Sequence, residues 1–304
     1  MTAPFADRAL EAVRRVGNPI CLGLDPHLDR IPGAFGDRAR DRSLPRAERA
    51  RAVGDFLVEV VEIAAGRVPC VKPQSAFFEV LGADGVAELE RVTAAARGAG
   101  LLVIADVKRG DIGSTAAAYA AAHLAGADGD PHLADAATVN PYLGTDSIQP
   151  FVEACGASGG GLYVLVRTSN PSSAEFQTLE TPAASAPTVA DAVADAVAGW
   201  GAELVGDSGW SSIGAVVGAT HPDELARLRA RMPNVPFLLP GYGAQGAGAA
   251  DVAPAFVRGH EGALVNSSRG LLFPPRADGD DDWRSAVSRA IDAMADDLAG
   301  ALAR

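Results

Sequence analysis

The sequence predicts an α/β fold, a single (β/α)8 TIM barrel with extended loops, with residues 1–304 forming one domain. Three observations predict it. Eight short apolar runs alternate with helical stretches, the pattern of parallel strands joined by crossover helices. Charged and polar residues gather at the C-terminal ends of runs one, two, three, five, seven and eight, where barrel active sites lie. No linker and no internal repeat divides the 304 residues, a length that such barrels commonly reach. A doubly wound open sheet shares the alternation and is the runner-up, because periodicity does not show closure.

The elements follow in order. Pro19–Asp25 reads as strand one, followed by a polar, Arg-rich loop to about Arg46. Ala47–Gly66 carries Phe56, Leu57, Val60, Val61 and Ala64 at helical spacing. Strand two, Val68–Pro73, has Lys72 at its tip. A helix covers about Asp84–Arg97 and stops at Gly98 and Gly100. Strand three, Leu101–Ala105, ends in Asp106 and Lys108, and an Ala-rich helix runs from about Thr115 to near Gly126. Ala136–Asn140 is strand four and Gly161–Arg167 strand five. Ser172–Pro187 is the longest irregular insert, and such loops often close over sites. A helix covers Thr188–Val205, and Ile213–Val217 is strand six. Pro222 suits the first position of the next helix. Strand seven is Val235–Leu239, a short helix spans roughly Asp251–Arg258, and strand eight is Ala263–Asn266. The last helix lines up Trp283, Val287, Ile291, Met294 and Leu298 on one face.

The stretch Asp106–Thr115 concentrates the chemistry. Asp106 and Lys108 lie two apart, so strand alternation puts both side chains on one face, with Arg109 on the other. Gly110 and Gly113 break the strand, and Asp111 brings a second carboxylate. A buried strand has no structural need for such charges at its tip. Of the 26 Lys and Arg residues only Lys72 and Lys108 are lysine, and both end apolar runs. Lysine can release a proton under conditions where arginine cannot. Asp25, Lys72, Asp106, Lys108 and Asp111 could form a structural ion-pair network, but such networks seldom stabilise a fold net. Clustered, perturbed charges more often mark function. Taken singly, Asp111 suits a helix start, Thr115 an N-cap, and Asn140 and Ser169 turn caps.

Gly241–Gly246 fits G-x-G-x-x-G. It follows the seventh strand, and the residues near Asn266 are not acidic, which argues against a dinucleotide fold. The loops after strands seven and eight are the usual phosphate site of a barrel, and Arg269 can grip an anion bidentately. A phosphomonoester site follows from the pair.

A net charge of −12 argues against nucleic acid or an anionic membrane as partner. No run is long enough for a membrane span, and Met1–Val16 has no apolar core of a signal peptide. The cysteines Cys21, Cys70 and Cys155 lack metal or redox spacing. His27, His123, His132, His221 and His260 show no paired spacing, so no metal is assigned. A cytoplasmic location is expected.

Asp106-x-Lys108-x-x-Asp111-Ile112-x-x-Thr115 resembles the signature of the orotidine 5′-phosphate decarboxylases. So do Leu24-Asp25, Val71–Gln74, Thr168–Pro171, Pro240–Gly246 and Ser268–Gly270, from about Pro19 to Phe273 in the family's order. Asn140–Gly144 with Asp146 and Ser147 looks like the family's second, longer subfamily. The resemblance implies a homodimer of (β/α)8 barrels that converts orotidine 5′-phosphate to UMP and carbon dioxide in de novo pyrimidine biosynthesis, without metal or organic cofactor. It implies a catalytic row of Lys72, Asp106, Lys108 and the Asp111 contributed across the dimer, with Lys108 as proton donor to C6. Asp25 and Lys72 would hold ribose hydroxyls, with Asp111 and Thr115 reaching the partner's site and Ile112 binding substrate. Ser169 and Asn140 would lie at the base. Gln245 and Arg269 would hold the phosphate, with Pro240, Gly241, Gly243 and Ser268 also binding the substrate. Three alternatives are a magnesium-dependent sugar-phosphate decarboxylase of the same superfamily, a Schiff-base aldolase barrel and a non-catalytic nucleotide-binding barrel.

Overall fold

The computed structural model describes residues 3–124, 130–243, 245–275 and 282–303. Its strands are β1 (Ile20–Leu24), β2 (Cys70–Pro73), β3 (Leu102–Arg109), β4 (Ala136–Val139), β5 (Gly161–Arg167), β6 (Ile213–Val217), β7 (Phe237–Leu239) and β8 (Ala263–Ser267). Each pairs in parallel with the next, and β8 returns to β1, so the sheet is a closed barrel. Closure settles the choice between barrel and open sheet.

The apolar runs are continuous because both strand faces are covered. All five residues of β1 are buried. Cys21, Cys70, Ile104, Ala136, Tyr163, Val216, Leu238 and Leu264 fill the interior. The outward residues pack with helix residues such as Phe56, Leu57 and Val60 from the helix Arg46–Ala64. The described helices include none long and apolar enough to cross a membrane.

Several elements differ from the sequence reading. The helix Phe5–Val16 plugs the N-terminal end of the barrel. Phe5 is buried and meets the Tyr163 ring edge-on at 6.1 Å. Gly161 makes room for it, since a Cβ there would lie 2.2 Å from the Phe5 ring. The polar loop before Arg46 contains the helix Gly33–Arg40, and Thr145–Ser158 is a helix although Pro150 lies within it. The Ser172–Pro187 insert begins with helical turns, Pro171–Ser173 and Ala174–Gln177. The helix expected to reach Val205 ends at Trp200, where Gly201 starts a separate turn. It opens as expected at Thr188, whose hydroxyl and the Asp191 carboxylate cap each other's backbone. The short helix expected over roughly Asp251–Arg258 is Ala249–Val252, followed by a tighter helical turn, Ala253–Ala255. The Ala-rich helix is Gly113–His123, so Thr115 lies inside it and Ile112 takes the cap position without a side-chain cap. Its expected end near Gly126 lies outside the described residues.

Phe5→Ala should cost about 3–5 kcal/mol, the range for emptying a buried aromatic site. A urea titration checks this; an unchanged midpoint would show that the helix does not seal the barrel.

Candidate active site

β2 and β3 carry the charged row. Strand β3 is irregular where it matters. Ala105 pairs with Ala137 and Arg109 with Val139, so β3 spends four steps where β4 spends two. Within that bulge Lys108 has φ 45°, and it is the one non-glycine residue at positive φ among those described. That conformation costs on the order of 1–3 kcal/mol and persists only where the surroundings impose it. Thr138 of β4 is one such restraint. Its hydroxyl oxygen accepts from the backbone N–H of Val107 at 3.1 Å and of Lys108 at 3.0 Å, and the hydroxyl donates to Asp106 Oδ1 at 2.9 Å. Simple alternation is therefore not what brings Asp106 and Lys108 together; the bulge does.

The Asp106 carboxylate sits between two ammonium groups. Lys72 Nζ donates to its Oδ2 at 2.5 Å and Lys108 Nζ to its Oδ1 at 2.5 Å. The Lys72 and Asp106 side chains are 6% and 8% exposed, whereas that of Lys108 is 46% exposed and faces the cavity mouth. Burial alone would push Lys72 down, but the charges of Asp106 and then Asp25 outweigh it and raise Lys72 to about 12. Burial would likewise push Asp106 up, but Lys72 and Lys108 hold it far below the usual carboxylate range. Lys72 and Asp106 are thus both charged at neutral pH.

Above this row lies a cavity of about 520 Å³ at the C-terminal ends of the strands. Of the residues singled out in the sequence, the fold brings Asp25, Lys72, Asp106, Lys108, Ser169, Pro240, Gly241, Gln245, Ser268 and Arg269 to its walls. Gln245 and Arg269 share the wall with the β7 and β8 loops. The G-x-G-x-x-G segment there is a tight turn: Gly241, Gly243 and Gly246 have φ of 110°, 72° and 97°, and Gly243 N–H donates to Ala247 O at 2.8 Å. Ala244 of this segment lies outside the described residues. The Tyr242 hydroxyl ties the turn to the last helix by donating to Asp297 at 2.5 Å. Arg269 opens a short helix, Arg269–Leu272, at the end of β8.

Asp111, Ile112, Thr115, Asn140 and Gly243 do not line the cavity. Asp111 accepts from the Ile112 backbone N–H at 2.8 Å, and the Asn140 carboxamide oxygen accepts from Tyr142 N–H at 3.0 Å, a turn cap. Ile112 is 52% exposed and Thr115 lies on the surface.

Thr138, Gln177 and Asn266 line the cavity but escaped the sequence reading. Gln177 grips Thr168 with both ends of its amide, 2.8 Å to the backbone N–H and 2.8 Å to the hydroxyl. Buried Arg167 reinforces that loop through Glu224 at 2.6 Å. The carboxamide oxygen of Asn266 and Oδ1 of Asp25 are buried without a hydrogen-bond partner. Both point to a ligand donor, since a buried polar atom left unmet costs about 1–3 kcal/mol. The available signals were a polar residue at the end of an apolar strand run, which Asn266 shows, and a polar residue inside one, which Thr138 shows.

Asp106→Ala should destabilise the chain by about 3–5 kcal/mol at neutral pH, because it leaves buried Lys72 without its nearest countercharge. The depressed Asp106 contributes stability above its unfolded value of about 3.9 and loses it as pH falls through its folded value. Lys72 contributes below its unfolded value of about 10.4 and loses this as pH rises through about 12. Urea unfolding of both proteins should therefore show a gap that is constant near neutrality and narrows in strong acid. A gap independent of pH would contradict the ion-pair account.

Residues 18–274 match the family model described as Orotidine 5′-phosphate decarboxylase / HUMPS family. The chain is 42% identical to the orotidine 5′-phosphate decarboxylase of Rhodopirellula baltica, over 97% of this chain and 99% of that one. It is 43% identical to that of Deinococcus radiodurans, over 99% of each. A crystal structure from Streptomyces avermitilis, itself only provisionally assigned as an orotidine 5′-phosphate decarboxylase, superimposes with a TM-score of 0.79 at 40% identity, covering 100% of this chain and 98% of that one. By the length of the match and the full-length relatives, this chain belongs to the orotidine 5′-phosphate decarboxylase family.

Proposed function

We propose that this chain converts orotidine 5′-phosphate to UMP and carbon dioxide, with Lys108 as the proton donor. Family membership and the near-full-length relatives carry the reaction class. One observation carries the mechanism: the Lys72–Asp106–Lys108 row stands in the cavity whose other wall presents Gln245 and Arg269.

The chemistry follows from that layout. The bond from C6 to the carboxylate breaks, and its electron pair stays on C6. A cation beside C6 stabilises that charge, and Lys108 then gives C6 a proton. Its partly exposed ammonium can be reprotonated from solvent. Asp106 stays ionised next to the substrate carboxylate. Two such charges about 4 Å apart repel by about 4 kcal/mol at an effective dielectric of 20. The phosphate grip, with Arg269, Gln245, Ser268 and the Pro240–Gly243 turn, offsets this repulsion through remote binding energy. Asp25 and Lys72 hold ribose hydroxyls, Asn266 adds an acceptor near that end, and Ser169 faces the base. No metal or organic cofactor takes part in this scheme, and the reaction belongs to cytoplasmic pyrimidine synthesis.

Asp111, Ile112 and Thr115 act in the partner's site of a homodimer, and Asn140 serves at that same rim. Their exposure supports this, as does the apolar surface around them. Tyr142 and Leu143 are 85% and 51% exposed. Of the Gly113–His123 helix only Ala116 and Ala120 are buried, which leaves a face of small alanines for close packing.

Lys108→Ala should abolish release of carbon dioxide from orotidine 5′-phosphate, assayed in EDTA by the ultraviolet change, while UMP still binds in calorimetry. Near-normal turnover would remove Lys108 as donor, and wild-type turnover that needs added magnesium would favour the sugar-phosphate branch. Mixing Asp111→Ala subunits with Lys108→Ala subunits should restore one working site per heterodimer. Verified heterodimers with no recovered activity would rule out a shared site.

A further inference from the structure

We infer that the Glu79–Arg109 ion pair is a positioning device for Lys108, clamping the strained bulge from outside the barrel. The inference rests on the functional reading above, because its readout is decarboxylation.

Lys108 is held on the inner side by Thr138 and Asp106. Its backbone φ of 45° turns the chain sharply, so the next residue must be held as well. Arg109 leaves the barrel on the opposite side. Its guanidinium donates to Glu79 Oε1 at 2.8 Å and lies 5.4 Å from the Tyr119 ring centre, in cation–π range. Its backbone oxygen accepts from Asn140 N–H at 2.9 Å. Glu79 ends the short helix Ala76–Glu79 that follows Lys72's strand, and Tyr119 belongs to the Gly113–His123 helix. One side chain thus joins the segments that carry Lys72, Lys108 and Asp111.

The neighbouring groups fit that role. The Arg109 hydrogen bond holds the Glu79 carboxyl below its ordinary value despite partial burial. His123 stacks on Tyr119 at 6.5 Å. Burial first, and the Arg109 charge second, push His123 down to about 4, so it is neutral and does not compete for Glu79. The same segment is tied from below, where Ser75 N–H donates to Asp106 O at 3.3 Å. The side chains of Arg109 and Glu79 are 29% and 44% exposed, so as a mere surface pair they would add little to stability. Their leverage is geometric. A displacement of about 1 Å at a catalytic group can cost about 100-fold in rate, and Arg109 is covalently next to Lys108.

The test compares wild type, Arg109→Met, Arg109→Lys and Glu79→Gln for kcat and KM with orotidine 5′-phosphate, Kd for UMP and melting temperature. Arg109→Met and Glu79→Gln should lower kcat about 10- to 100-fold, with KM and UMP affinity within about twofold of wild type and melting temperatures nearly unchanged. Arg109→Lys, which keeps the charge, should recover part of the loss. Should Arg109→Met fail to fold, Glu79→Gln alone decides. A kcat within twofold of wild type, or a loss matched by an equal rise in KM or by unfolding at the assay temperature, overturns the inference. Wild type without turnover would sink the functional reading and this inference with it, whereas an active wild type with unimpaired variants sinks the inference alone.

Discussion

Asp106 is held by Lys72 from one strand and by Lys108 from its own, inside a barrel that excludes most water from the first pair. A carboxylate buried alone would take up a proton, and an ammonium buried alone would lose one. Each keeps its charge because the other is there. Much of the surrounding structure serves that mutual dependence: β2 and β3 must be neighbours, the β3 bulge must turn Lys108 back toward Asp106, and Thr138 must meet both backbone N–H groups of the bulge. Buried ion pairs are poor sources of net stability. Their presence here makes sense as an arrangement kept ready for a charged substrate.

The rest of the barrel separates tasks by position. The N-terminal end is apolar, closed by Phe5 against Tyr163. The C-terminal end is polar and open, with the charged row at β2 and β3 and the glycine-rich turn and Arg269 at β7 and β8. In the function proposed above, a substrate with a phosphate at one end and a carboxylate-bearing ring at the other spans these two regions. Binding at the first can therefore hold the second in an electrostatically unfavourable place.

Legibility in the sequence followed how local each signal was. Charges at the tips of apolar runs stand out, so Asp25, Lys72, Asp106, Lys108 and Arg269 were visible at once. Thr138 and Asn266 were not, because one hydroxyl or carboxamide at a strand end is ordinary until its neighbours are known. The helix Thr145–Ser158 carries Pro150 in its second turn, where proline removes a helical hydrogen bond, so local propensity argues against a helix there. The helix Phe5–Val16 is amphipathic, but Asp7, Arg8, Glu11, Arg14 and Arg15 break up its apolar face in the linear sequence. Residues Asp111, Ile112 and Thr115 were legible as a motif, yet one chain leaves them outside its cavity.

The amino-acid order alone determined the alternation of strands and helices, the eight apolar runs and the charged tips, because covalent neighbours set periodicity and strand ends. Only tertiary structure decided that the sheet closes, that β8 meets β1, and that Lys108 reaches Asp106 through a bulge with left-handed backbone. Those outcomes depend on hydrogen bonds between residues far apart in the chain: Lys108 N–H reaches the Thr138 hydroxyl 30 positions on, and Val265 N–H reaches Pro19 O from near the other end of the chain. No local pattern encodes such pairings.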